Sequence, residues 1–265
     1  MPEYTVTLLI WIAPIIFFEF FFRRKKLLPP NKRKALTITV IILATAGILL
    51  DLFFAKLFFT FPNPKMTLGI EINNIPIEEF IFYVTGFWFI IYLYIFLDEW
   101  YLKLYNPSDE KYIRYRKKLN KKLIFIHVNA IFWGIGFIIL GIVIKKVLNP
   151  ISPTIPGYFS FLLLIAYIPT ILFYRLTKRY VNWRAFFFTL TVTTLISIVW
   201  EVTLAIPRGY WGYHPNQMSG VFLPAWSSPL SKFPIEAVTV WIFCTLVILV
   251  YEYLKITFFN YKDKE

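Results

Sequence analysis

The stretch Ile75-Pro76-Ile77-Glu78-Glu79-Phe80-Ile81-Phe82-Tyr83 opens an apolar run that meets no further charge until Asp98. A proline is tolerated in the first turn of a helix, where its missing N–H costs no hydrogen bond, and a run of this length is long enough to cross a bilayer. The pattern returns near the other end of the chain as Phe233-Pro234-Ile235-Glu236-Ala237, again at the mouth of an apolar run. Two membrane helices that begin with Pro-x-Glu set the reading of everything between them. A carboxyl group in that position is either a cap on the positive end of the helix dipole or a reagent.

The rest of the chain agrees with a membrane setting. Of 265 residues, 58% are hydrophobic and 21% aromatic, and the mean hydropathy is +0.62; a soluble domain could not wet such a surface. The net charge of +13 would point to nucleic acid in a soluble protein. Here the cations gather in short runs between apolar segments, as in cytoplasmic membrane loops, so nucleic acid is not an expected partner. The single cysteine, Cys244, allows no intrachain disulfide. No basic region precedes the first segment and no small-residue cleavage site follows it before Arg23-Arg24-Lys25-Lys26, so it is expected to stay as an anchor.

Seven segments are long enough to span, near 4–22, 36–59, 77–97, 123–144, 157–174, 185–206 and 233–254. Basic residues fill the loops 23–35, 98–122 and 175–184 and the tail after Lys255, whereas the alternate loops carry scattered cations such as Lys65, Arg208 and Lys232. That alternation puts the N-terminus outside the cell membrane and the C-terminus in the cytoplasm. The loops 60–75 and 207–232 both run from Pro and Asn through Met to Gly and then into Pro-x-Glu, and each follows a span bearing an acid, Asp51 or Glu201. This is an internal repeat, offset by an even number of spans, so the two copies share one orientation. The expected architecture is an all-α polytopic bundle with a first three-span repeat in 1–122, a crossover span in 123–156 and a second repeat in 157–265.

Acids within the spans carry the chemistry, because a carboxylate at bilayer depth costs about 2.5–3.5 kcal/mol on insertion scales and is usually given a partner or a task. Glu78 and Glu236 recur in register; Glu79 faces Ala237 in the second copy; Asp51 and Glu201 lie deeper. As plain caps, Glu78 and Glu236 would contribute roughly 0.3–1 kcal/mol each, and Asp51 and Glu201 could pair with Lys56, Arg208 or a hydroxyl. Glu19 and Glu252 sit near basic ends and can reach the interface. His127 stands alone, without the companions a metal site needs. The chain has no His-Glu-x-x-His helix, no Gly-x-Ser-x-Gly elbow, no phosphate loop and no pair of Asp-rich motifs. The last segment has no lysine before Lys255, which excludes a retinal Schiff base in mid-membrane. What remains is carboxylic-acid chemistry on an apolar molecule, amid 29 Phe, 17 Tyr and 9 Trp whose ring faces can stabilise a cation.

Two Pro-x-Glu helix starts in a duplicated multi-span chain resemble the membrane-integral lycopene cyclases, in the fused form of a type that also occurs as two short subunits. The resemblance implies an intramolecular lyase or isomerase of carotenoid biosynthesis that needs no cofactor and draws its substrate from the bilayer. It implies Glu78, Glu79 and Glu236 as essential acids. The reaction would begin with protonation of a ψ-end double bond, close the ring through a tertiary carbocation and end with loss of a ring proton. Glu78 and Glu236 are the expected donor and acceptor, one per repeat, with Asp51 and Glu201 as supporting or relay groups. A hydratase sharing the same cation, or a non-enzymatic proton-coupled transporter or lipid-binding protein, are the alternatives; a homo-oligomer is compatible with either. Reporter fusions after residues 30, 110, 180 and 260 should score as cytoplasmic and those after 68, 150 and 220 as external. One reversed fusion would break the alternation on which the repeat rests.

Overall fold

The computed structural model describes residues 2–105, 157–218, 221–225, 228–240 and 243–258. The expected fourth span, His127, the crossover segment 123–156 and most of the basic loop 98–122 lie outside the described residues. Among those described, five helices are long and apolar enough to cross a membrane: Glu3–Lys25, Pro30–Phe58, Ile77–Tyr101, Gly157–Thr177 and Trp183–Arg208. The last apolar segment follows as two helices, Ile235–Val240 and Phe243–Phe258. The fold is an all-α membrane bundle; among the described residues, strands occur only in short loop ribbons.

In chain order the helices are α1 (Glu3–Thr7), α2 (Leu9–Lys25), α3 (Pro30–Phe58), α4 (Ile77–Phe96), α5 (Gly157–Leu162), α6 (Ile168–Thr177), α7 (Trp183–Trp200), α8 (Ile206–Arg208), α9 (Ile235–Val240) and α10 (Phe243–Phe258). Single π-type turns end α4 (Leu97–Tyr101), join α5 to α6 (Leu163–Tyr167) and join α7 to α8 (Glu201–Ala205). The middle one delivers the chain to Pro169, which sits early in α6 where its missing N–H is harmless. Local chemistry sets the ends of α2 and α3. Lys26 adopts a left-handed conformation (φ 53°) and Leu27 N–H closes onto the Phe22 carbonyl at 3.1 Å, ending α2. Pro30 then starts α3.

At the end of the bundle away from the basic loops, the order of elements occurs twice. The helix α3 leads into β1 (Phe59–Thr60), a 3-10 turn (Pro64–Met66), a hairpin of β2 (Glu71–Ile72) and β3 (Ile75–Pro76), and α4. The helices α7 and α8 lead into β4 (Gly212–Tyr213), a 3-10 turn (Pro215–Gln217), a hairpin of β5 (Phe222–Ala225) and β6 (Ser228–Pro234), and α9. Equivalent backbone bonds close both loops, Ile77 N–H to Ile70 O at 2.9 Å and Ile235 N–H to Val221 O at 3.0 Å. The first hairpin turns on Asn73 and Asn74, both at positive φ (55° and 61°), the conformation that tight hairpins demand and asparagine tolerates. Lys56 Nζ donates to both asparagine side chains, at 2.9 and 3.1 Å, and docks the hairpin on α3.

The two loops are stitched to each other. The strands β1 and β4 pair antiparallel, Phe59 opposite Tyr213, and His214 N–H extends the pairing to Phe58 O at 2.9 Å. Asn63 Nδ2 donates to Arg208 O at 3.0 Å. Gly209 is confined twice over, by a φ of +72° and by Pro62 and Asn63, whose side-chain atoms lie 3.3 Å from where a Cβ would stand. The main core threads α2, α4, α7 and α10 through Trp11, Tyr92, Tyr94, Trp200 and Tyr251. Outward-facing side chains stay apolar, with Phe17, Phe20 and Phe53 60%, 68% and 74% exposed, as a lipid-facing wall requires.

The basic end holds a buried ionic knot. Lys255 Nζ donates to Glu252 Oε1 at 2.6 Å and lies 3.6 Å from Asp98 Oδ2, while Tyr94 donates to Glu252 Oε1 at 3.0 Å, so the last turns of α4 and α10 are tied together. Removing one partner of a buried pair leaves charge without compensation, at a cost of about 3–5 kcal/mol. Lys255→Met should therefore lower the thermal unfolding temperature in detergent sharply, and adding Glu252→Gln should recover part of the loss. Equal unfolding temperatures for Lys255→Met and the parent would remove the knot from the account of stability.

Candidate active site

A cavity of ≈ 490 Å³ lies between α3, α4, α5–α6 and α9–α10. Its wall repeats at helical spacing: Leu43, Gly47, Leu50 and Asp51 on α3; Glu79, Tyr83, Gly86 and Ile90 on α4; Tyr158, Phe161, Ile165 and Pro169 on the α5–α6 segment. From Tyr158 to Phe173 the wall follows the helix axis for about 22 Å, taking 1.5 Å per residue. The lining is overwhelmingly hydrocarbon and aromatic ring. Its carboxyl groups, Asp51, Glu79 and Glu201, belong to the end of the bundle where the loop ribbons sit. The cavity thus has an acidic head and an apolar tail.

Each carboxyl in the head receives a tyrosine hydroxyl. Tyr83 donates to Asp51 Oδ1 at 3.1 Å, Tyr4 to Glu79 Oε1 at 2.9 Å and Tyr213 to Glu201 Oε2 at 3.1 Å, with Ser197 Oγ on the other Glu201 oxygen at 3.2 Å. Tyr213 stands in the loop outside the spans, where burial first and the neighbouring Glu201 second push its phenol well above the ordinary range, so it acts as a neutral donor. Glu201 opens the π-type turn between α7 and α8, a local widening that re-aims a side chain and recurs at functional sites. Among the described residues no three His, Cys, Asp or Glu side chains are grouped to hold a metal ion.

Glu78 and Glu236 occupy a different place. Both are fully buried, yet neither is among the residues lining the cavity. Glu78 Oε1 accepts from Leu68 N–H and from Thr5 Oγ1, each at 2.7 Å, and so fastens the loop before α4 and the first helix to the start of α4. Glu236 precedes the cavity residue Ala237 and lies near enough to Tyr158 for its charge to act there. One position further on the pattern reverses. Glu79 and Ala237, equivalent in the two loops, both face the cavity, so the acid of the first half meets a methyl group in the second.

The tyrosines that hold the acids were not singled out from the sequence, nor was Tyr4. The signal for Glu79 was present: residues 79, 83, 86 and 90 form one stripe at helical spacing, and Glu78 falls about 100° off it. Chemically, the head can give a proton to an apolar molecule lying along the tail and take one back. The rings of Phe59, Phe82, Tyr158 and Trp211 around it can stabilise positive charge between those steps.

Residues 3–97 match the family model described as Lycopene cyclase. The matched stretch contains α1–α4 and, within them, Asp51, Glu78 and Glu79. No curated protein and no solved structure matches the chain.

Gly47 gives the head a sharp test of packing. A Cβ added there would lie 3.0 Å from Tyr83 Cδ1, so the Tyr83 ring lies flat on α3 with its hydroxyl one turn along, at Asp51. Alanine normally stabilises a helix by about 1 kcal/mol over glycine. Gly47→Ala should instead destabilise the protein, by about 1 kcal/mol in thermal unfolding, and should regain the normal sign in a Tyr83→Ala background. Stabilisation by Gly47→Ala in the parent would mean that the ring is not held against α3.

Proposed function

We propose that this membrane protein, whose first three spans carry the lycopene cyclase pattern, cyclises the linear ψ-ends of lycopene to β-rings inside the bilayer. The observation that carries the proposal is the joining of an acid cluster to an apolar, ring-lined cavity about 22 Å long. A polyene lying along the tail presents its terminal double bond to the acids. Glu79 adds a proton to that bond and leaves a tertiary carbocation. The electron pair of the neighbouring double bond closes the six-membered ring and moves the cation to a ring carbon. Asp51, whose Oδ1 is held by Tyr83, takes a proton from the adjacent carbon, and a double bond forms in the ring. One proton is gained and one lost, so the reaction is an isomerisation that balances without an electron carrier.

Glu201, with both oxygens held by Ser197 and Tyr213, serves best as a fixed negative charge that stabilises the cation. In this reading Glu78 and Glu236 support the wall from behind, Glu78 by holding Thr5 and Leu68 in place. The head belongs to the external end of the bundle if the basic loops are cytoplasmic, and the substrate arrives from the lipid. Hydration would share the first cation. The two readings part only at the last step, proton loss against capture of a water, and so differ in the mass of the product.

Expression in lycopene-accumulating bacteria tests the proposal directly. The pigment should turn from red toward yellow with no change in mass; a gain of one water in mass would instead mean hydration. Glu79→Gln and Asp51→Asn should each lower turnover by at least about a hundredfold while the protein remains in the membrane, since a positioned acid or base commonly contributes 10²–10⁴-fold. Glu236→Gln should be milder. Full activity in Glu79→Gln would transfer the donor's part to another carboxyl group.

A further inference from the structure

Helix α1 is short, and Tyr4 on it is fully buried. Consecutive residues of α1 hold consecutive residues of the Pro-x-Glu-Glu motif, Tyr4 on Glu79 Oε1 at 2.9 Å and Thr5 on Glu78 Oε1 at 2.7 Å. We propose that Tyr4 is a positioning residue for Glu79, and that α1 is thereby part of the catalytic site rather than a lead-in to α2. The assignment rests on Glu79 acting as the proton donor. With Oε1 occupied by Tyr4, Oε2 is the oxygen left to carry the exchangeable proton toward the cavity.

The surroundings fix the Tyr4 ring. It stacks on Tyr210 at 4.9 Å with an interplanar angle of 11°, and it meets Trp211 at 5.6 Å and Trp200 at 6.2 Å. Tyr210 in turn donates to Glu3 Oε1 at 3.0 Å, and Arg208 Nε lies 3.5 Å from the same oxygen, so the loop of the second half grips α1 from the side opposite α4. A tyrosine has two rotatable side-chain bonds, and both are immobilised by this packing, so its hydroxyl holds Glu79 at little entropic cost. The second half lacks the pairing. There Tyr158 opens α5 and faces the cavity, but Ala237 stands where the acid would be.

Tyr4→Phe keeps the ring and its stacking and removes only the hydroxyl, so it separates positioning from packing. In membranes supplied with lycopene, kcat should fall by about a hundredfold, the loss expected when a reacting group drifts by about 1 Å, while KM stays near that of the parent. A fall that appears only in KM, or no fall at all, overturns the assignment. A second readout does not depend on the reaction. The infrared carboxyl or carboxylate band that disappears in Glu79→Gln should shift in Tyr4→Phe and stay in place in Thr5→Val. If the parent fails to cyclise lycopene but the band shifts, the proposed reaction fails and the Tyr4–Glu79 coupling stands. A band unmoved by Tyr4→Phe overturns the coupling whatever the reaction.

Discussion

A carboxyl group carried into hydrocarbon must be met by a donor, and for five of the acids here a tyrosine supplies it. Tyr92 donates to Glu19, Tyr83 to Asp51, Tyr4 to Glu79, Tyr213 to Glu201 and Tyr94 to Glu252. The phenol suits this role because its ring is at home in an apolar core while its hydroxyl supplies one strong hydrogen bond. It also brings no opposing charge, so an acid remains an acid. The contrast with the basic end is instructive: Glu19 and Glu252 have a tyrosine and also Arg23, Arg33 or Lys255. Asp51, Glu79 and Glu201, in the cavity, accept from phenols and, at Glu201, from a serine as well.

Much of the fold was legible because membrane insertion imposes a coarse rule on sequence. Apolar length marked the spans, and five of the seven coincide with described helices long and apolar enough to cross a membrane. The loops before α4 and α9 each hold a 3-10 turn that opens on a proline, Pro64 or Pro215, and each is closed by the first N–H of the helix that follows, Ile77 or Ile235. The hairpins were not expected, since Asn73-Asn74 forms its tight turn inside a stretch too short to show a strand pattern.

The site was legible only in its inventory. All five expected acids lie near one end of the bundle, but which of them borders the cavity depends on helix phase, and one residue of phase separates Glu78 from Glu79. Recurrence drew attention to Glu78 and Glu236, and recurrence is what a shared structural duty produces as readily as a shared chemical one. Glu78 has such a duty, with Thr5 and Leu68. The partner tyrosines were invisible for another reason. Tyr4, Tyr83 and Tyr213 are scattered over the chain among 17 tyrosines, and only tertiary packing tells a phenol that serves an acid from one that lies at the membrane surface.

The ribbon of β1 and β4 links chain positions that are made far apart in time. Phe59 and Thr60 leave the ribosome about 150 residues before Gly212 and Tyr213, an interval of roughly 8–30 s at 5–20 residues per second. For that time the first half sits in the membrane with an unpaired strand edge, Tyr4 without its stacking partner and a cavity open along one wall. Charged side chains lie around it, Lys56 on α3, Lys65 in the 3-10 turn and Glu71 in the hairpin, and charge of this kind discourages an edge from pairing with another nascent chain. Synthesis therefore imposes an order on assembly: Asp51 and Glu79 are made first, and Glu201 follows with the part of the wall that the second half supplies.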